Sequence, residues 1–351
     1  MTKGLCRLAI SLLFALLGTL FAHANEITTQ LERYIDEQNI DGASFFASVD
    51  GKVIEAVAGT IDPAQKEETA VGTRFYIAST GKMMVAAAIL SMVEDGSLQL
   101  DERIWPLIKS IGEIERLKNA DVVTLRQILN HTSGLAEYLN EEFDDASQRE
   151  PAKRWTPQEA LSFAYDAKPA FSPGKSFEYT NTNYVLLGYI LGQIDGTIEK
   201  ALENRIFNKA GMNTASVGAQ ASAPHLAHGF DEDGNDASEQ AWASILGDGP
   251  VVSTAQDVAK FMQALFDSRK LLGQNLLDQM LTGSQHDEGY GLGMGVDEDE
   301  WGHWYGHAGS YGGFEADVRF YPDLNSVMVV LMNGNPDEEN PFLDTAAQKL
   351  F

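Results

Sequence analysis

The stretch ASFFASVDGKVIEAV, Ala43–Val57, decides how the chain is read. Two β-rich runs, Ala43–Val49 and Val53–Val57, flank Asp50-Gly51-Lys52, and Asp-Gly between such runs is a hairpin signal. On the N-terminal side of this hairpin Ile27, Leu31, Tyr34 and Ile35 recur at helical spacing and predict an amphipathic helix. On the other side the pattern turns helical from about residue 79, with Met83, Ala87, Leu90 and Met92-Val93 along one apolar segment. Thr156 sits as an N-cap before Pro157, and Glu159 is placed to close a capping box. Ser253 with Gln256, or Thr254 with Asp257, opens another helix carrying Val258, Phe261 and Leu265. Strand-type segments return at Tyr290–Val296, Trp301–His307, Phe314–Phe320 and Val327–Met332, and Phe342, Leu343, Ala346 and Leu350 form the stripe of a closing helix. Strands at both ends with helices between them predict an α+β fold. Its antiparallel sheet is built from both termini and flanked by helices, and an all-α region is inserted. The expected division is an α/β part over about 25–80 and 285–351 and a helical part over about 81–284. The acidic, Gly- and Ala-rich stretch Ala219–Pro250 reads as a long surface loop or lid.

Composition narrows the function. The chain has 351 residues, 51 Asp and Glu against 25 Lys and Arg, and one Cys. So much negative charge repels phosphate backbones and anionic membranes, which makes nucleic acid an unsuitable partner. One Cys supports neither an intramolecular disulfide nor a Cys-rich zinc site. Lys3 and Arg7 precede an apolar run from Leu8 to Ala22, followed by the small-x-small pattern Ala22-His23-Ala24. This is the form of a secretory signal peptide over 1–24, and a run of about 15 residues falls short of the roughly 20 that span a bilayer. Cleavage after Ala24 takes the formal charge from −26 to −28, removes Cys6 and leaves no integral membrane anchor. The expected location of the mature 25–351 chain is a bacterial periplasm or the exterior.

Three short motifs carry chemistry. Ser79-Thr80-Gly81-Lys82 stands where hairpin gives way to helix, so Lys82 lies one turn from Ser79 on the same face. A serine hydroxyl needs a base to become a nucleophile, and a lysine serves only when burial or neighbouring charge lowers its pKa. The second copy of the pattern, Ser172-Pro173-Gly174-Lys175, has Pro-Gly between its ends, which breaks the required turn. Tyr179-Thr180-Asn181 precedes an apolar helix. A phenol beside an ammonium is a candidate proton shuttle, and Asn181 offers an amide to a substrate carbonyl or to Lys82. Tyr138-Leu139-Asn140 repeats this pattern but reads as part of an acidic loop before Glu141-Glu142. Finally, His307-Ala308-Gly309 lies on a strand and is followed by Ser310.

The order Ser-x-x-Lys, Tyr-x-Asn, His-x-Gly resembles the penicillin-recognising serine hydrolases, in the branch of class C β-lactamases, D-alanyl-D-alanine carboxypeptidases and related esterases and D-aminopeptidases. Thr124–Leu135, Phe171–Gly174 and Val252–Asp257 resemble stretches of the same family, so the likeness spans roughly residues 30–335. It implies an active site between an α/β part and an all-α part, with Ser79 acylated and Lys82 and Tyr179 moving protons. It also implies an oxyanion hole from the backbone N–H groups of Ser79 and Ser310, with Asn181, His307 and Gly309 on the substrate. His307 stands where many members have Lys, and no Lys-Thr-Gly or Lys-Ser-Gly occurs in the chain. A residue near neutral at pH 7 then replaces a permanent cation. This departure resembles the peptidase and esterase members, and the expected activity is a D-amino-acid peptidase or carboxypeptidase of the D-Ala-D-Ala type. The alternatives are a carboxylesterase or class C-like β-lactamase, and a non-catalytic cell-wall-binding or sensor homologue. The expected substrates are a small peptide, an ester or a β-lactam.

Plainer readings account for the other signals. His303 and His307, with His225 and His228, lack a convergent carboxylate or Cys pattern, so no metal and no cofactor is expected. Gly291-Leu292-Gly293-Met294-Gly295 leads into acidic turn residues rather than a helix and reads as a Gly-rich strand. His131 reads as a structural residue at a helix end, with Gly134 as the stop.

Overall fold

The computed structural model describes residues 24–62, 64–231, 234–336 and 341–351. The expected signal segment up to residue 23 and part of the Asp231–Asp236 run lie outside the described residues. Helix α1 covers residues 24–38 and leads into β1, Gly42–Val49, and β2, Lys52–Asp62. Asp50 and Gly51 both take positive φ, 47° and 76°, as a two-residue hairpin turn demands. The short strands β3, Glu67–Glu68, β4, Phe75–Tyr76, β5, Ser216–Val217, and β6, Val251–Ser253, come next in the chain. A C-terminal meander follows: β7, Gly295–Asp299, β8, Gly302–Tyr311, β9, Phe314–Tyr321, and β10, Ser326–Met332.

The seven-stranded sheet runs β3-β2-β1-β10-β9-β8-β7, so the N-terminal hairpin and the C-terminal meander meet at the β1–β10 pair, registered from Ala43↔Met332 to Val49↔Ser326. Both faces of these central strands are buried, which is why they are apolar almost throughout. Phe45, Ala47, Met328 and Val330 face α1 and the closing helix, whereas Phe46, Val327, Val329 and Leu331 face the main core. Phe342 holds the outer layer together, with ring centroids 5.3 Å from Tyr34 and 5.5 Å from Phe45. The inner face is covered by the inserted helical part. Its principal elements are α2, Lys82–Glu94, α3, Asn181–Asp195, and α4, Ala255–Phe266, and the closing helix is α5, Phe342–Leu350. The fold is α+β. Among the described residues no helix is long and apolar enough to cross a membrane.

Three local readings change. The segment from Tyr290 becomes a strand only at Gly295. Gly293 turns with φ 81°, and a Cβ there would lie 2.4 Å from the Ala86 side chain, so this glycine serves close packing on α2 rather than a ladder. The stretch Ala219–Pro250 is not a free surface loop, because it contains a helix, Ser238–Ala243, and buries Trp242, Leu246 and Asp248. Ser79 does not open the α-helix. It lies in a 3-10 turn, Ala78–Gly81, that precedes α2.

Candidate active site

The turn carrying Ser79 is held from both ends. A small sheet ordered β4-β6-β5 fixes its entry, where the Ile77 N–H donates to the Val251 carbonyl at 3.0 Å. Ala78 takes φ 44°, an uncommon value for a residue with a Cβ. Strand β8 then runs against the turn. A Cβ on Gly309 would stand 2.6 Å from the Ser79 nitrogen and 2.8 Å from that of Thr80, so the His-x-Gly motif needs glycine to bring strand and Ser79 together. The motif's next residue, Ser310, lines the same cleft as Ser79.

Lys82 is fully buried at the first position of α2. Its Nζ donates to Ser79 Oγ at 2.9 Å, to Asn181 Oδ1 at 2.8 Å and to the Asp248 carbonyl oxygen. These bonds use the three donors of an ammonium and fix its reach toward the serine. Asn181 opens α3, where its backbone and side-chain N–H groups both donate to Glu137 Oε2, at 2.7 and 3.2 Å. Tyr179 stands beside Lys82, whose Nζ is 5.1 Å from the ring centroid. Its hydroxyl is buried without a hydrogen-bond partner among the described residues. His131 positions this tyrosine: the rings stack at 4.2 Å, and His131 Nδ1 accepts from the Thr180 N–H at 3.1 Å. Burial, and then the Lys82 charge, hold the His131 imidazole well below its ordinary pKa and so neutral.

His307 joins the same aromatic group, 6.1 Å from Tyr179 and 5.7 Å from Tyr290. Its Nδ1 faces the Ala308 carbonyl, which can only accept, so Nδ1 carries the proton. Nε2 then accepts from the Tyr290 hydroxyl at 3.0 Å. Burial, with the Lys82 charge second, pulls the imidazole down to about 4. The structure thus brings Ser79, Lys82, Tyr179, Asn181, His307, Gly309 and Ser310 to one place.

Three acidic or phenolic groups join them without a sequence signal. Glu137 and Asp248 are both pushed up from the ordinary carboxylate range, chiefly by burial. Tyr138, which reads from sequence as part of an acidic loop, is buried and donates its hydroxyl to Asp248 Oδ2 at 2.6 Å. Its neighbour Asn140 caps the helix Glu141–Arg149 instead of approaching Lys82. Only long-range packing identifies Glu137 and Asp248, although Asp248 lies six residues before the recognisable Thr254. Ser79, Asn181, Asp248 and Ser310 line one cleft of about 650 Å³, which Tyr138, Phe143 and Trp155 close with aromatic surface.

Among solved structures, the fold is similar to the D-amino acid amidase of Ochrobactrum anthropi SV3, with TM-score 0.76 and 24% identity over 94% of this chain and 97% of that one. It is likewise similar to a penicillin binding protein from Bacillus halodurans, with TM-score 0.75 and 26% identity over 92% and 99%. By sequence the chain is 26% identical over 307 residues to Penicillin-binding protein 4* of Bacillus subtilis (strain 168), covering 80% of this chain and 65% of that protein. It therefore spans just under two thirds of that relative's length. The family model described as Beta-lactamase matches residues 27–350, and the chain belongs to that family of serine hydrolases.

Proposed function

We propose that the protein is an exported serine hydrolase that forms an acyl-enzyme on Ser79 and cleaves small peptides or amides of D-amino acids. The observation that carries this reading is the 2.9 Å contact between the buried Lys82 Nζ and Oγ of Ser79, which lines the cleft. Tyr179 relays the serine proton to the leaving group, taking one proton as it gives the other, while the Lys82 ammonium steadies the negative charge that develops on Ser79 Oγ; the Tyr179 hydroxyl has no competing partner among the described residues. The backbone N–H groups of Ser79 and Ser310 form the oxyanion hole, and Asn181 holds Lys82 in place. His307, being neutral, orders the strand side of the site through Tyr290. The relatives named above, an amidase acting on D-amino acids and penicillin-binding proteins, support this substrate class, and the Lys3–Ala24 leader pattern supports export.

A fluorescent penicillin or fluorophosphonate is expected to label Ser79, and Ser79→Ala to abolish labelling. Lys82→Ala is expected to slow acylation by about 100-fold or more, as for the loss of a fixed donor to a developing negative charge. Labelling that persists in Ser79→Ala excludes this nucleophile. A panel of D-Ala-D-Ala peptide, D-amino acid amide, short-chain ester and cephalosporin, compared by kcat/KM, separates the reactions that share one tetrahedral oxyanion.

A further inference from the structure

Resting on the hydrolase reading above, the charges in the cleft point to one end of the substrate. An amino-acid amide or peptide can present two charges beside its scissile bond: an ammonium on the acyl residue or a carboxylate on the leaving residue. A carboxylate needs a cation. His307 is neutral, with one ring nitrogen on Tyr290 and the other on the Ala308 carbonyl. Lys153, which also lines the cleft, is already engaged, with Nζ 3.7 Å from the Trp155 ring centroid and 3.3 Å from Glu159. Lys82 is committed to Ser79, Asn181 and the Asp248 carbonyl.

Acid, in contrast, is in surplus. Glu137 and Asp248 stand around one buried cation, Lys82. Glu137 is satisfied by the backbone N–H groups of Leu139 and Asn181. Asp248 is not: Oδ2 takes the Tyr138 hydroxyl, while Oδ1 is buried without a hydrogen-bond partner among the described residues. Two buried acids thus share one cation, and a buried carboxylate oxygen left without a partner is costly, a cost that a ligand cation relieves. Asp248 lies on the cleft wall that Ser79 also lines, among Tyr76, Tyr138 and Tyr311.

We propose that Asp248 is the receptor for a free ammonium group on the acyl residue, so that the enzyme takes unblocked D-amino-acid amides, esters or peptide N-termini rather than peptides recognised by a C-terminal carboxylate. Asp248 is a specificity residue, and its unshared carboxylate oxygen turns toward the bound amine.

The test compares kcat/KM for D-phenylalanine p-nitroanilide and its N-acetyl derivative, with p-nitrophenyl acetate as a chargeless control, in the wild-type protein and in Asp248→Asn. The free amine is expected to be favoured by about ten- to a hundredfold, the worth of one charge-assisted hydrogen bond. In Asp248→Asn that ratio is expected to collapse toward one. A merely structural role would lower both rates and leave the ratio unchanged. A wild-type protein that handles the N-acetyl compound as well as the free amine overturns the proposal without any variant, and so does a ratio that survives in a folded Asp248→Asn. Ser79-dependent ester turnover without amine preference removes this inference alone. Absence of Ser79-dependent turnover of every substrate removes the hydrolase reading beneath it.

Discussion

Gly309 is a side-chain-free position on which the placement of Ser79 depends. A methyl group there would stand 2.6 Å from the Ser79 nitrogen, so Gly309→Ala must push the serine turn away from β8. The expected result is an acylation rate lower by about a hundredfold, as for a displacement of about an ångström at a reacting group, with labelling of Ser79 retained. Stopped-flow acylation by penicillin checks it. His307 makes a second prediction. Its imidazole titrates at about 4 in the folded protein and near 6.5 when unfolded. Between those values the unfolded chain binds more protons, so this residue's contribution to stability is present at neutral pH and is lost as pH falls from about 6.5 through 4. NMR of the ring nitrogens should find the neutral Nδ1–H form from pH 8 to about 5. A ring that titrates near 6.5 contradicts the described Tyr290 and Ala308 contacts.

At the scale of the element, caps show what the sequence makes legible. Thr156 and Glu159 form the capping box read from their spacing, and Thr254, rather than Ser253, caps α4 by accepting from the Asp257 N–H. Such signals are local, so four consecutive residues contain them. Thr254→Ala is expected to destabilise the protein by about 1 kcal/mol in denaturant unfolding, the usual value of such a cap. The turn carrying Ser79 is only partly legible, because its 3-10 geometry and the positive φ of Ala78 depend on β6 and β8, which lie far away in the chain. The same reason hides Glu137, Tyr138 and Asp248. An acid in a Gly-rich stretch reads as solvated surface until the helices around it are in place. Ser79, Lys82, Tyr179 and His307 can be recognised because their motifs are short, ordered and set at element boundaries.

For the molecule as a whole, net charge and topology act together. A formal charge of −26 on one chain repels itself, and added salt screens that repulsion. The midpoint of thermal unfolding is therefore expected to rise between low salt and about 0.2 M sodium chloride, as calorimetry would record. Topology sets a different limit. The sheet has its seam at β1 and β10, strands from opposite ends of the chain, and α1 and α5 close over that seam with Lys349 2.8 Å from Glu26. Contacts so distant in sequence delay folding. On the ribosome, the β1–β2 hairpin emerges with the other edge of β1 unpaired, and the central ladder cannot zip until the last strand has been synthesised. For almost the whole of translation the nascent chain lacks its keystone, and the export proposed above would draw on that interval, when the polypeptide is still unfolded.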